Sequence, residues 1–256
     1  MDLIDTHAHL DFDYEEGITP EKIVKEAAEN NVNKIITIAS DPASLKRVQQ
    51  ISESLDGVYY SLGVHPHEAK DYNTDIEENI KHLKTKKCVA IGEIGLDFFY
   101  DHSPRDLQKK VFVKQIDLAR QLKLPVIIHI READLQAYEI LKSEYKDSCN
   151  GVVHCYSGTK EQLKKFLDLG MFVSFTGIIT FSKAITVQES ASYAPCDRIM
   201  LETDSPFLAP IPYRGKKNYP KYIPIIAKKL SELRKETIEK VAEYTTENAT
   251  NFFSLN

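Results

Sequence analysis

The sequence lacks several features that would place it in a specialised class of protein. No hydrophobic run approaches the ~20 residues needed to cross a bilayer, and the opening Met-Asp-Leu-Ile-Asp-Thr has no basic residue of the kind that begins a signal peptide. The 4 cysteines form no Cys-x-x-Cys pair, and 10 glycines and 11 prolines in 256 residues leave little room for disorder. These absences predict an ordered cytoplasmic protein with reduced thiols and no membrane partner.

The sequence also has little excess of charge of either sign. It carries 33 Lys and Arg against 38 Asp and Glu, a formal charge of −5, which argues weakly against a general nucleic-acid binder. The charge is uneven, because residues 210–240 hold nine bases and three acids, a net +6. This basic segment could be a solvated helix face, or it could form a local site for an anion.

What the sequence does contain is a regular succession of short apolar runs. Their starts lie 20 to 37 residues apart, and segments with helical periodicity, such as Glu21–Asn30 and Leu107–Leu122, lie between them. The runs are continuously apolar, as in the strands of a parallel sheet that is covered on both faces. The predicted strands are Leu3–Thr6, Lys34–Ala39, Val58–Gly63, Cys88–Gly92, Pro125–Ile130, Gly151–His154, Met171–Phe175 and Arg198–Glu202.

Eight strand–helix units in a chain of about 250 residues are typical of a (β/α)8 barrel, or TIM barrel. The sequence therefore predicts one such α/β barrel as a single domain over residues 1–256. A doubly wound open sheet is the alternative, because a strand count taken from one sequence can be wrong by one or two. We expect the protein to be monomeric or weakly associated.

Histidines and carboxylates follow most of the predicted strands. In a barrel the carboxyl ends of all strands meet at one rim, where such enzymes have their active sites. His7 and His9 are separated by one residue, so both imidazoles point to the same side of an extended segment. The other candidates at strand ends are Glu93, His129, His154 and Asp204. Imidazoles and carboxylates that converge in this way make a metal-ligand set.

Six protein ligands exceed the three or four of a site with one catalytic zinc ion, so the sequence predicts two divalent metal cations. Glu93 is central in the strand order and could bridge them with its two oxygens. Asp204 could bind a metal through one oxygen and take a proton from bound water through the other, which makes Asp204 and Glu93 the predicted catalytic residues. Mg²⁺, Mn²⁺ and Zn²⁺ all stay open as the metal.

Three further residues are candidates for substrate binding. His65 follows a strand and could contact a phosphate or a metal-bound water, or it could be a capping histidine held by Pro66. Arg131 could bind a phosphate oxygen, or it could form a surface ion pair. Arg214 belongs to the basic segment after the eighth strand, so in a barrel it would overhang the metal site.

Three more features of the sequence are close to these candidates along the chain. Asp97 could orient His129 through a hydrogen bond, or it could serve only the turn in which it lies. The triplet 98–100 (Phe-Phe-Tyr) could stack bases at the rim, although we expect at least one of its rings in the core. Alternation along the strand turns Cys155 away from the barrel axis, as a small buried hydrophobic residue.

Several strings of the sequence together resemble the TatD family of metal-dependent deoxyribonucleases, within the amidohydrolase-like barrel superfamily. They occur in order over nearly the whole chain, and jointly they are far more specific than one His-x-His pair. They are DTHAHLDF, GVHPH, GEIGLDFFY, Arg105 with Gln108 and Gln115, IIHIREA, HCYSG, and LETDSPFLAP followed by PYRGKKN.

The resemblance implies two metal positions that share Glu93. The first would add His7, His9 and Asp204, and the second would add His129 and His154. The resemblance also implies hydrolysis of phosphodiester bonds in DNA, with 3′-to-5′ exonuclease action. A deep site on the barrel axis would accept a single-stranded end more easily than a rigid duplex.

Three other functions stay open at this point. A small-molecule amidohydrolase or phosphotriesterase-like enzyme is one, although such barrels usually bridge their metals through a carboxylated lysine on the fourth strand, where this sequence has Glu93. An aminoacyl-tRNA deacylase is the second. The third is a metal-bearing scaffold without enzymatic activity, which an intact Asp204 and a complete ligand set disfavour.

Overall fold

The computed structural model describes residues 2–144 and 150–255, in which eight parallel strands form one sheet in sequential order. The strands are β1 (Leu3–Ala8), β2 (Val32–Ile38), β3 (Val58–Leu62), β4 (Cys88–Asp97), β5 (Val126–Arg131), β6 (Gly151–Val153), β7 (Phe172–Phe175) and β8 (Ile199–Leu201). The helices are α1 (Pro20–Ala28), α2 (Ser44–Ser54), α3 (Thr74–Leu83), α4 (Arg105–Leu122), α5 (Asp134–Glu144), α6 (Lys160–Asp168), α7 (Ile185–Tyr193), α8 (Ile223–Arg234) and α9 (Ile238–Phe253).

The sheet closes on itself between β8 and β1. Ala8 forms a parallel bridge with Ser205, and the hydroxyl of Thr6 donates a hydrogen bond to the carbonyl oxygen of Leu201 (3.1 Å). A helix follows every strand and covers the outside of the sheet. This closure confirms the predicted (β/α)8 barrel, and the alternative of an open doubly wound sheet is wrong.

β1 and β4 extend beyond their predicted ends, so His7 and Glu93 lie within strands. The register of β4 against β5 shifts between Ile91 and Ile94, and such an irregularity redirects the side chains within it. Gly95 has a φ of 143°, and a Cβ there would collide with the carbonyl oxygen of His129. A glycine is therefore required for β4 to approach β5 at the level of the candidate site.

Apolar side chains fill the barrel below its carboxyl-terminal rim. Ile127 on β5 and Val152 on β6 are buried in one cluster, which also includes Phe252 at the end of α9. His129 and His154 come two residues after them in the sequence. Because side chains along a strand alternate with a period of two, the face that fills the barrel also carries these two histidines at the rim.

Two expectations, that the thiols are reduced and that no segment crosses a membrane, can be compared with the described residues. Cys88, Cys155 and Cys196 are free thiols, whereas Cys149 lies outside the described residues. Within the described ranges, no helix combines the length and the apolar character that a membrane crossing needs.

Candidate metal centre

The first half of the candidate site forms where β1 meets the segment after β8. The backbone N–H of Asp204 donates to the carbonyl oxygen of His7 (2.9 Å), and that of His9 donates to the carbonyl oxygen of Ser205 (2.8 Å). Asp204 has a φ of 56°, in the left-handed region. This conformation costs most residues other than glycine some energy, and residues strained in this way cluster at functional sites. Closure of the barrel therefore places Asp204 beside both imidazoles.

Four ligand-type atoms surround a common point in this half. His7 Nε2 lies 3.5 Å from Glu93 Oε2 and 3.6 Å from Asp204 Oδ1. His9 Nε2 lies 3.9 Å and 3.6 Å from the same two oxygens. Ligand atoms that share one zinc ion at about 2.1 Å in tetrahedral coordination are about 3.4 Å apart. The four atoms could therefore hold one cation with little rearrangement.

His7 is the residue whose environment most needs a ligand. Its side chain is 0% exposed, and neither ring nitrogen has a hydrogen-bond partner among the described residues. A buried polar atom without a partner costs about 1–3 kcal/mol. Burial lowers the pKa of His7, and the nearby His154 lowers it further. His7 is therefore neutral and offers a lone pair, which is the form that binds a metal.

The second half lies on the other side of Glu93. Glu93 Oε1 is 2.8 Å from both His129 Nδ1 and His154 Nε2, and those two nitrogens are 3.3 Å apart. Carboxylates fix the opposite edges of the rings, because His129 Nε2 donates to Asp97 Oδ2 (3.0 Å) and His154 Nδ1 donates to Glu202 Oε1 (3.2 Å). With those protons in place, three acceptor atoms face one another around Glu93.

A positive charge is needed to stabilise this arrangement. Burial raises the pKa of Glu93, but His154, His65 and His129 outweigh it and hold the pKa well below its usual range. Burial lowers the pKa of His154, but Glu93 and Glu202 raise it well above its usual range. The cluster therefore needs a cation, which a proton on His154 or a metal ion between the acceptors could supply.

Asp97 has both of the roles that the sequence left open. One carboxylate oxygen accepts the hydrogen bond from His129, and the other accepts from the backbone N–H groups of Phe99 (3.0 Å) and Tyr100 (2.9 Å). Gln108 on α4 fixes Asp97 in turn, because its amide group exchanges two hydrogen bonds with the Asp97 backbone (2.9 and 3.0 Å). The ring of His129 is thus oriented by a turn that α4 supports.

A cleft of about 750 Å³ opens above these residues. His65 and Arg131 line it, whereas Arg214 is not among the described residues that do. The Arg131 guanidinium stacks on the ring of Phe99 at 4.0 Å, and that of Arg214 stacks on Phe181 at 4.3 Å. Of the predicted substrate-binding residues, Arg214 can therefore contact only a ligand that extends beyond the cleft.

Two other predictions concern Cys155 and the aromatic triplet 98–100. The prediction that Cys155 turns away is wrong, because Cys155 lines the cleft. β6 ends at Val153 and Cys155 has a φ of 47°, so the alternation of an extended strand does not reach it. The expectation that at least one ring of the triplet 98–100 lies in the core is confirmed, because Phe98 is buried while Phe99 and Tyr100 are exposed.

Glu202 is a buried carboxylate of the site that the sequence reasoning missed. Besides the hydrogen bond from His154, it accepts from the backbone N–H of Cys155 (2.7 Å) and the hydroxyl of Ser174 (2.6 Å). Glu202 precedes Asp204 by two residues, which is the spacing that singled out His7 and His9. The same rule applied at the eighth strand would have found it.

Comparison with known proteins now decides the family. The family model described as "TatD related DNase" matches residues 4–254. The chain belongs to the TatD family. A Bacillus subtilis (strain 168) protein described as "Uncharacterized metal-dependent hydrolase YabD" is 39% identical over 256 residues, which cover 99% of this chain and 100% of that protein.

Two further relatives of this TatD-family chain carry information on activity and structure. A protein of Rahnella sp. (strain Y9602) named "3'-5' ssDNA/RNA exonuclease TatD" is 36% identical over 227 residues, which cover 86% of each chain. The crystal structure of YjjV, a TatD homologue from Escherichia coli K12, has a TM-score of 0.92 at 29% identity and covers 99% of this chain and 98% of that one.

These comparisons confirm the family resemblance, and the TatD-family protein is a metal-dependent hydrolase. The residues present fit a metal ion. The set of His7, His9 and Asp204 and the set of Glu93, His129 and His154 each bring three potential ligand atoms within 4.8 Å of one another.

Proposed function

We propose that this TatD-family hydrolase cleaves phosphodiester bonds and removes nucleotides from the 3′ end of single-stranded DNA. The observation that carries the proposal is the position of Glu93 between two imidazole clusters, at the bottom of a cleft that Arg131 also lines. The relative named as a 3′–5′ exonuclease supports the 3′-to-5′ polarity and the single-stranded substrate.

Two divalent metal ions are part of the proposal. The proposed ligands of the first are His7, His9, Asp204 and Glu93, and those of the second are Glu93, His129 and His154. When bound, the metals would lower the pKa of a water molecule and stabilise charge on the phosphoryl oxygens. Nitrogen and oxygen donors of this kind admit Mg²⁺, Mn²⁺ or Zn²⁺.

Asp204 is the proposed general base. Burial raises the pKa of its carboxyl group, but His9 and His7 outweigh burial and hold the pKa below its usual value. The carboxylate is therefore ionised at neutral pH, and it lines the cleft in which water and substrate meet. An ionised carboxylate in this place can accept the proton of an attacking water molecule.

The depth of the site supports a single-stranded end as the substrate. His7 and Glu93 are only 0% and 4% exposed, so a phosphate must enter the cleft to approach them. A single strand can bend its backbone into such a cleft, whereas nucleotides of a duplex must first leave the helix. Arg131 and the two metals would offset the overall negative charge of the protein locally.

The test is an activity panel with 5′-labelled oligonucleotides. Single-stranded DNA, duplex DNA and RNA are each incubated with Mg²⁺, Mn²⁺ or Zn²⁺, with and without a chelator. We expect a ladder of products shortened from the 3′ end, formed fastest from single-stranded DNA and only with metal. If no oligonucleotide is cut, the proposal is overturned, and a charged tRNA and a cyclic amide assayed in the same buffers would distinguish the deacylase from the amidohydrolase.

A monomeric or weakly associated state and a cytoplasmic location stay predictions. Light scattering after size-exclusion chromatography would measure the oligomeric state. Fractionation of the source cells would test the location.

We predict that Glu202→Gln weakens metal binding by about 10- to 100-fold, which is the usual effect of losing a group that orients a metal-binding histidine. Glu202 accepts hydrogen bonds from His154, Cys155 and Ser174. An amide there has one acceptor oxygen and turns an NH₂ group towards at least one donor. Calorimetric titration with Mn²⁺ would measure the change.

The exposed Glu132, which follows β5 and does not line the cleft, provides the control for this variant. Glu132→Gln should bind Mn²⁺ as the wild type does. Wild-type affinity in a folded Glu202→Gln protein would contradict the role of Glu202 in orienting His154.

We predict that Arg131→Ala and Arg214→Ala respond differently to substrate length. A phosphate contact on a single strand contributes a slope of about −0.7 to the dependence of log K on log salt. Loss of the Arg131 contact should reduce the slope for both a trinucleotide and a decanucleotide. Arg214 lies beyond the lining of the cleft, so its loss should affect only the decanucleotide. KM measured at several salt concentrations gives the salt slope of each variant. If both slopes are parallel to that of the wild type, neither arginine contacts phosphate.

A further inference from the structure

The cleft has an aromatic wall beside His9. Phe12 stacks on the His9 ring, with centroids 4.8 Å apart, and Phe207 stands perpendicular to Phe12 at 5.9 Å. Ile178 and Leu208 line the cleft with them. We call Phe12, Ile178, Phe207 and Leu208 the aromatic wall. It lies next to the proposed first metal position, because His9 is one of the ligands there.

Phe207 is the member of the aromatic wall that is open to a ligand. It is 49% exposed, although it lines the cleft and its edge lies against His9 at 6.2 Å. Its backbone N–H donates to the carbonyl oxygen of Asp204 (2.9 Å), so the ring is anchored three residues from the proposed base. An exposed and anchored aromatic ring beside a reaction centre offers a face on which a base can stack.

Charge divides the cleft in two. Among the described residues that line it, Arg131 is the only Lys or Arg. Arg131 ends β5, which is opposite β1 and β8 in the closed order of eight strands, whereas Phe12 and Phe207 follow β1 and β8. The β5 side of the cleft therefore offers a basic side chain, which lies over the ring of Tyr100, whereas the described lining residues on the β1 and β8 side include two phenylalanine rings and no Lys or Arg.

We infer that the aromatic wall is the subsite for the base of the 3′-terminal nucleotide, with Phe207 stacked on that base, and that the rest of the strand leaves the cleft past Arg131. The inference rests on the proposed function and gives the substrate a direction in the site. The terminal nucleotide has no further phosphate on its 3′ side, so it suits the side without a basic side chain. The upstream strand carries one phosphate per nucleotide, so it suits the side with Arg131.

The inference has a consequence for specificity. Every base has a π face, so stacking accepts all four bases but distinguishes any base from no base. The terminal nucleotide should therefore be removed with little dependence on sequence, and a terminal abasic residue should be removed slowly.

The experiment compares two oligonucleotides that differ only at the 3′-terminal residue, which is either thymidine or an abasic tetrahydrofuran. We expect wild type to favour the thymidine end by about 10-fold in kcat/KM, a typical effect of one stacked base. Phe207→Ala should lose about 10-fold on the thymidine end and little on the abasic end. Phe207→Tyr keeps the ring and should restore the preference.

The matched control is Tyr193→Ala, since Tyr193 is an exposed aromatic residue at the end of α7 that is not among the residues lining the cleft. It should leave both rates unchanged. Equal rates of the wild type on the two ends, or equal losses of Phe207→Ala on both, would overturn the inference while leaving the nuclease function intact. Failure of the wild type to cut either oligonucleotide would overturn the proposed function and the inference with it.

Discussion

Glu93→Gln is expected to lower metal-dependent hydrolysis by at least about a thousand-fold, because metals held at the two proposed positions would bring the pKa of a water molecule near neutrality. Glu93 Oε1 is 2.8 Å from both His129 Nδ1 and His154 Nε2, and Oε2 is 3.5 Å from His7 Nε2. In glutamine one of these oxygens becomes an NH₂ group, which has no lone pair for a metal. One substitution therefore weakens both proposed metal positions.

The measurement is the initial rate on single-stranded DNA over a range of metal concentrations, with circular dichroism to establish that the barrel is folded. Glu139→Gln on the exposed surface of α5 is the control, and it should cut at the wild-type rate. Glu93 lies at the carboxyl-terminal rim, where residues serve function more than stability. A folded Glu93→Gln protein with near wild-type turnover at saturating metal would show that Glu93 does not bridge two metals.

Asp204→Asn is expected to lower kcat by about 10²- to 10⁴-fold, the usual contribution of a general base. The amide keeps one oxygen near His7 and His9 and fills a similar volume, but it cannot accept the proton of water. KM should change much less than kcat, because the lost interaction belongs to the transition state.

Metal content must be measured in the same Asp204→Asn samples, since loss of the metal would also lower kcat. The exposed Asp197, before β8, provides the matched control as Asp197→Asn, which should leave both constants unchanged. If Asp204→Asn raises KM without a change in kcat, Asp204 binds substrate and another group is the base.

The fold could be predicted because its signal is periodic. Eight apolar runs at regular spacing indicate eight buried strands, and eight strand–helix units in a chain of this length are typical of a closed barrel. The location of the polar residues followed from the same rule, since carboxyl ends of parallel strands share one rim. The structure brings together the six candidates at that rim, namely His7, His9, Glu93, His129, His154 and Asp204.

The remaining details could not be predicted because they depend on backbone conformation or on distant contacts. Cys155 lines the cleft because its φ is positive, and nothing in the sequence HCYSG specifies that. Arg214 follows the eighth strand as expected, but its stacking on Phe181 depends on the path of two separate loops. Glu202 could have been found by its spacing, whereas its hydrogen bond from Ser174 on β7 could not.

The seam between β8 and β1 has a consequence for biosynthesis. Asp5 accepts hydrogen bonds from the backbone and hydroxyl of Thr203, 198 positions later, and Asp204 is bonded to His7 in the same place. His7 therefore leaves the ribosome early, but the first proposed metal position can form only after most of the chain, including Asp204, has been synthesised. Nascent fragments that end before the eighth strand lack Asp204, so they cannot form this centre. The last strand to be synthesised thus completes the centre.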